Sequence, residues 1–127
     1  MKLRIRGSSL RLRLSQGEVR TLAEQGAVED RVEFPGDARL VYRLRAVKNS
    51  SIISVSYSGN LIEVLVPEAI AGQWCGTDLV TLAGAQPVAA GELRVVVEKD
   101  FACLTPREGE DESDNFPQPD AGGASTC

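Results

Sequence analysis

Six arginines alternate with apolar residues in three short runs. Leu3 and Ile5 are flanked by Lys2, Arg4 and Arg6, and Leu10, Leu12 and Leu14 by Arg11 and Arg13. Leu40, Tyr42, Leu44 and Ala46 are flanked by Arg39, Arg43 and Arg45. Alternation of period two marks a strand with one face buried, which turns Arg4, Arg6, Arg11, Arg13, Arg43 and Arg45 outward. A guanidinium presents a planar fork of donors that matches a carboxylate or phosphate in bidentate fashion. The chemistry expected of these residues is therefore anion binding.

Three anions compete for that role. Glu29 and Glu33, with Arg31 between them, lie on a neighbouring predicted strand, and interleaving them with Arg43 and Arg45 makes an ordinary solvated salt-bridge lattice. The C-terminal run Glu110, Asp111, Glu112 and Asp114 is an internal competitor that docks on the same arginines. The third is an external ligand rich in phosphate or carboxylate. Double-stranded nucleic acid is not favoured, since a pI of about 4.9 opposes the electrostatic attraction that dominates such binding.

The absences are as informative. The 127 residues contain no histidine, which removes serine–histidine and cysteine–histidine catalysis and histidine-ligated metals. Cys75, Cys103 and Cys127 form an odd set without close pairing, which fits a reducing compartment better than a disulfide scaffold. Cys75, beside Trp74, reads as a small buried group, whereas Cys103 lies near Lys99 and Arg107, where a thiol is most easily activated. The start, Met1 to Arg6, lacks the apolar run of a signal peptide, and no window suits a membrane span, so the expected location is the cytoplasm.

Around the arginines the pattern predicts antiparallel hairpins and two short helices. The phase of alternation flips at Gly7-Ser8; a tight turn there places Ile5 opposite Leu10 and Leu3 opposite Leu12, with a bulge in one long strand as the alternative. In the hairpin register Arg4 faces Arg11, a pairing of like charges that calls for an anion. Ser15 and Glu18 have the spacing of a capping box, Val19 and Leu22 follow at helical spacing, and Gly26 suits the stop. A second hairpin turns at Pro35-Gly36-Asp37 and a third at Gly59-Asn60, between Ile52–Ser58 and Leu61–Val66. Pro67 opens a second helix carrying Ile70 and Trp74; residues 77–91 show no clear period, and Leu93–Val97 read as a last, largely buried strand. Tyr42 and Trp74 fall at apolar positions and are assigned to the core. No internal repeat is evident.

Charge divides the chain in two. Residues 1–105 carry 13 basic and 12 acidic groups, a net of +1, while 106–127 hold one arginine against six acids, a net of −5. The expected organisation is a single α+β domain over 1–104 and an acidic Pro/Gly-containing tail over 105–127, docked on the domain. Phe116-Pro117-Gln118-Pro119 suggests an aromatic anchor on a stiff segment. Asp111, Glu112, Asp114 and the Asn115 amide offer hard oxygen ligands for calcium or magnesium, though without the glycine and distal glutamate of an EF-hand. Cys103 and Cys127 offer thiolates, with no CxxC or histidine to complete a zinc site. No cofactor is expected beyond such a divalent metal.

The segments Glu98-Lys99-Asp100-Phe101-Ala102-Cys103-Leu104 and Glu110 to Pro119, with Cys127, resemble the end of a family of small uncharacterised bacterial proteins. Those proteins also begin with a basic hairpin like residues 2–14. The resemblance spans nearly the whole chain and implies no function. In style, arginine-lined strands also resemble the triphosphate tunnel enzymes, which open with alternating glutamates followed by lysine; here that strand reads Lys2-Leu3-Arg4-Ile5-Arg6. Glu63, Glu92, Glu98 and Asp100 are the carboxylates left to hold a metal in such a scheme.

The expected architecture is α+β, mainly antiparallel hairpins in a sheet or partly closed barrel with two short helices. The expected function is non-enzymatic binding of an anion or a protein partner, regulated by the acidic tail. The rivals are a metal-dependent phosphohydrolase of the tunnel type and a structural interaction module. Oligomeric state leaves no mark in the sequence.

Overall fold

A computed structural model describes residues 1–101 and 114–117. The chain runs β1 (Lys2–Arg6), β2 (Ser9–Leu14), α1 (Gln16–Gln25), β3 (Ala27–Phe34), β4 (Ala38–Val47), β5 (Ser54–Ser58), β6 (Leu61–Pro67), α2 (Glu68–Gly76), β7 (Thr81–Val88) and β8 (Gly91–Lys99). The class is α+β. The eight strands form two four-stranded sheets, β1-β2-β8-β7 and β3-β4-β6-β5, and not a closed barrel. Every hairpin is antiparallel, but the central pair of each sheet, β2 with β8 and β4 with β6, is parallel.

That order contains a duplication that the sequence pattern does not reveal. Hairpin, helix, hairpin occurs once as β1–β4 with α1 and again as β5–β8 with α2. Leu10, Leu12 and Leu14 followed by Val19 and Leu22 in the first unit match Ile62, Val64 and Val66 followed by Ala71 and Trp74 in the second. All ten are buried in one core. The side chains differ in size and branching at nearly every matched position, so the spacing repeats while the residues do not.

Local chemistry sets the element boundaries. The β1–β2 turn gives Leu3↔Leu12, Arg4↔Arg11 and Ile5↔Leu10, the register of a two-residue hairpin. Ser15 accepts from the Glu18 N–H while the Glu18 carboxylate accepts from the Ser15 N–H, a closed capping box at the start of α1. Gly26 ends α1 at φ 78°, a left-handed conformation that a side chain would strain. Residues 77–91, without a readable period, contain β7, an edge strand rich in small residues in which Pro87 is tolerated because, among the described residues, no strand lies beyond it.

The inward faces of both sheets are apolar. Leu12, Leu14, Leu44, Val95, Val97 and Val64 are fully buried, and Trp74 of α2 sits among them with its indole N–H donating to the Val80 carbonyl at 2.9 Å. At the helix end the short piece Asp114–Pro117 lies against the body. Gln16 N–H donates to the Asp114 carbonyl at 3.0 Å, and Phe116 N–H to the Asp100 carbonyl at 2.7 Å. The Phe116 ring stands 5.6 Å from that of Phe101. Lys99, only 7% exposed, donates to the Thr77 carbonyl at 2.6 Å and lies 5.5 Å and 5.6 Å from the centres of the Trp74 and Phe116 rings. Among the described residues no helix is long and apolar enough to cross a membrane.

Candidate anion-binding face

The six arginines divide between the outward faces of the two sheets. Arg4, Arg6, Arg11 and Arg13 belong to the β1-β2-β8-β7 sheet, and Arg43 and Arg45 to the other. Four of the six meet carboxylates of the chain itself. Glu63 of β6 accepts from Arg43 Nη1 at 3.1 Å and from Arg45 Nε and Nη2 at 3.1 and 3.3 Å; Glu29 accepts from Arg43 Nε at 3.0 Å. Across the other parallel seam, Glu98 of β8 accepts from Arg13 Nε at 2.6 Å and Arg11 Nη1 at 3.3 Å. The predicted interleaving of Glu29 with Arg43 is present. The principal acids, Glu63 and Glu98, come from strands whose pairing the sequence did not disclose.

Electrostatics follow from these grips. Glu63 is 9% exposed, and the guanidinium bonds, first that of Arg45 and then that of Arg43, hold its carboxyl below the usual carboxylate range against the opposing effect of burial. Arg43 is pushed further up, chiefly by its bond to Glu29 and next by that to Glu63. The Tyr42 hydroxyl, which donates to the Met1 carbonyl at 2.9 Å, is pushed up by burial, with Asp30 and Glu18 adding to the effect. Burial likewise raises the Cys75 thiol, which agrees with a packing role for that residue.

Register orders the outward side of the β1-β2-β8-β7 sheet into rows. Lys2, Arg13 and Glu98 form one row, Arg4, Arg11 and Val96 the next, and Arg6, Ser9 and Arg94 the third. The positions beyond them on β7 are Thr81, Ala83 and Ala85, all small. Lys2 is paired with Asp100 at 3.0 Å. Among the described residues Arg4, Arg6 and Arg94 have no ion pair, and all three are exposed. Arg94 escaped the sequence reading; a lone cation between Leu93 and Val95 was its only signal.

The described part of the tail, residues 114–117, falls elsewhere. Asp114, expected beside the arginines, lies at the start of α1, where its Oδ2 accepts from the Gly17 N–H at 3.2 Å. Glu110, Asp111 and Glu112 lie outside the described residues, as do Cys103 and Cys127. Among the described residues no group of three or more Cys, Asp or Glu is placed to hold a metal. Nor do Glu63, Glu92, Glu98 and Asp100 gather as a tunnel site would require. Glu63 is on one sheet, Glu92 and Glu98 are on the second and Asp100 just follows β8, with an apolar core between the sheets.

A family model matches residues 1–120, nearly the full chain. The chain belongs to the DUF7009 family. It is a family of unknown function, which agrees with the resemblance to uncharacterised proteins and assigns no activity to any residue. No curated protein and no solved structure matches the chain.

Proposed function

We propose that this DUF7009 protein is a cytoplasmic, non-enzymatic anion-binding module whose site is the outward face of β1, β2 and β8. The observation that carries this reading is the imbalance of that face. Arg4 stands directly opposite Arg11, and Arg6 and Arg94 flank Ser9, while Glu98 is already shared by Arg11 and Arg13. Like charges opposite one another across strands are destabilising. On the other sheet Glu29 and Glu63 pair with Arg43 and Arg45, and the proposed site leaves those two arginines to the fold.

Arg4, Arg6, Arg11 and Arg94 surround Ser9, whose hydroxyl adds a neutral donor. Neighbouring strands lie about 4.8 Å apart and alternate residues of one strand about 6.7 Å apart. Several guanidinium forks therefore reach one multiply charged ligand, a compact polyphosphate or polycarboxylate. The small side chains on β7 leave space for the rest of such a molecule. The acidic segment containing Glu110, Asp111 and Glu112 is the internal competitor in this scheme.

The test is the melting temperature of the full chain with inorganic triphosphate at low and moderate salt. A ligand at a hundred times its Kd stabilises by about 2.7 kcal/mol if it binds only the folded state. The expected result is a salt-sensitive rise that Arg4→Gln/Arg11→Gln abolishes and Arg45→Gln leaves in place. No rise with any polyanion, or an equal loss with Arg45→Gln, would sink the assignment.

A further inference from the structure

The two sheets meet differently along their two sides. On the β5/β7 side the edges cover each other: Gln86 of β7 accepts from the Val55 N–H of β5 at 2.7 Å. Ile53, just before β5, packs so closely on Gly84 that an added Cβ there would lie 3.0 Å from it. On the β1/β3 side the sheets touch at the start of β1 and midway along β3. The Met1 amine pairs with Glu18 and, at 3.2 Å, with Asp30, while its carbonyl receives the Tyr42 hydroxyl. Beyond that corner, among the described residues, β1 pairs only with β2 and β3 only with β4, and both outer backbone edges have no strand beside them.

The side chains along this open side have the wrong exposure for their phase. Ile5, Val32 and Phe34 occupy inward positions, in step with Leu3 and Val28, yet they are 59%, 42% and 49% exposed. The outward positions differ in sign: Lys2, Arg4 and Arg6 on β1, but Glu29 and Glu33 around Arg31 on β3. Pairing β1 with another β1 would oppose cations to cations, and β3 with β3 would bring together two strands that each carry two glutamates to one arginine on the outer face. β1 against β3 brings cations to acids on the outside and Ile5 toward Val32 and Phe34 on the inside.

We propose that the occupant of this open side is a second copy of the chain, with β1 of each copy paired to β3 of the other. Both edges lie on the same side of one molecule, so a two-fold axis forms the contact twice and closes the assembly as a dimer. Both edges then gain partners, which removes the hazard of an exposed strand edge. The inference does not rest on the anion reading, although both call on Arg4 and Arg6.

Sedimentation of the full chain across concentration and salt tests it. The expected result is a dimer that dissociates more readily as salt rises. Arg4→Glu/Arg6→Glu alone and Glu33→Arg alone should each sediment as monomers, because each sets like charges against one another at both contacts. Mixed in equal amounts, the two variants should restore a dimer, since both contacts then join opposite charges. That recovery also demonstrates that both variants fold. A wild-type monomer up to about 1 mM, the weak end of specific association, overturns the proposal. So does a dimer indifferent to the charge reversals, or a mixture that stays monomeric.

Discussion

Replacing Glu63 by glutamine removes the charge that joins Arg43 and Arg45 across the β4–β6 seam. Three guanidinium contacts at 3.1, 3.1 and 3.3 Å end on this carboxylate. Hydrogen bonds to charged groups each contribute about 1.5–3 kcal/mol when shielded, whereas solvent-exposed ion pairs contribute about 0–1 kcal/mol. The carboxylate is shielded, but Arg43 and Arg45 keep 32% and 45% of their side-chain exposure. The net cost of Glu63→Gln at neutral pH is therefore about 2 kcal/mol. At about 4 °C per kcal/mol for a domain of this size, the melting temperature falls by about 8 °C. The folded-state pKa of Glu63 lies below its unfolded value, so its stabilisation is complete above the ordinary carboxyl range and drains away as pH falls through the lower, folded value. Urea unfolding from pH 7 to pH 3 should show a constant gap between wild type and variant down to about pH 5, closing below that. A gap as large at pH 3 as at pH 7, or none at pH 7, refutes the role given to the carboxylate charge.

Gly17→Ala should fail to deliver the gain of about 1 kcal/mol that alanine brings to a helix, because its Cβ would lie 2.9 Å from Asp114 Oδ2. Adding Asp114→Ala should recover part of that gain, a coupling on the order of 1 kcal/mol in a double-mutant cycle of denaturation midpoints. Additive effects would mean that Asp114 does not rest on α1. Cys75, its thiol raised by burial and only partly offset by Lys99, should be alkylated at pH 8 on the order of tenfold more slowly in the folded chain than in the unfolded one. Mass spectrometry of the Cys75 peptide reads that rate, and equal rates would contradict a packed thiol.

The first three hairpins were legible because their information is local. Period-two alternation, Gly7, Gly59-Asn60 and the Ser15/Glu18 box each act within a few residues, and the register Leu3↔Leu12 with Arg4↔Arg11 follows directly from the first turn. The parallel seams were not legible. β2 and β8 are separated by most of the chain, and no nearby turn fixes Arg13 opposite Glu98 or Arg43 opposite Glu63. β7 was missed because Ala83, Gly84, Ala85 and Pro87 have neither bulk nor alternation. The outward arginines were found, but their partners and their division between two sheets depended on those unseen seams. Glu63 and Glu98, lone acids beside apolar strand residues, were the available hints of a buried grip.

The duplication explains why the cation excess lies where it does. Each parallel seam joins a strand of the first unit to one of the second, β2 to β8 and β4 to β6. At both seams the first unit supplies two arginines and the second a single glutamate: Arg11 and Arg13 on Glu98, Arg43 and Arg45 on Glu63. Opposite charge is thus placed where the halves must recognise each other, over a core whose apolar residues would tolerate other pairings. β1 carries the first unit's outward cations too, but among the described strands it is an edge with no second-unit neighbour to supply an acid. β3 is the first unit's edge of the other sheet, and it carries two acids of its own, Glu29 and Glu33. On the two proposals above, the charge on Arg4 and Arg6 is completed from outside the paired strands: by a ligand across β1, β2 and β8, for which the segment of Glu110, Asp111 and Glu112 competes, or by the acidic edge of a second copy.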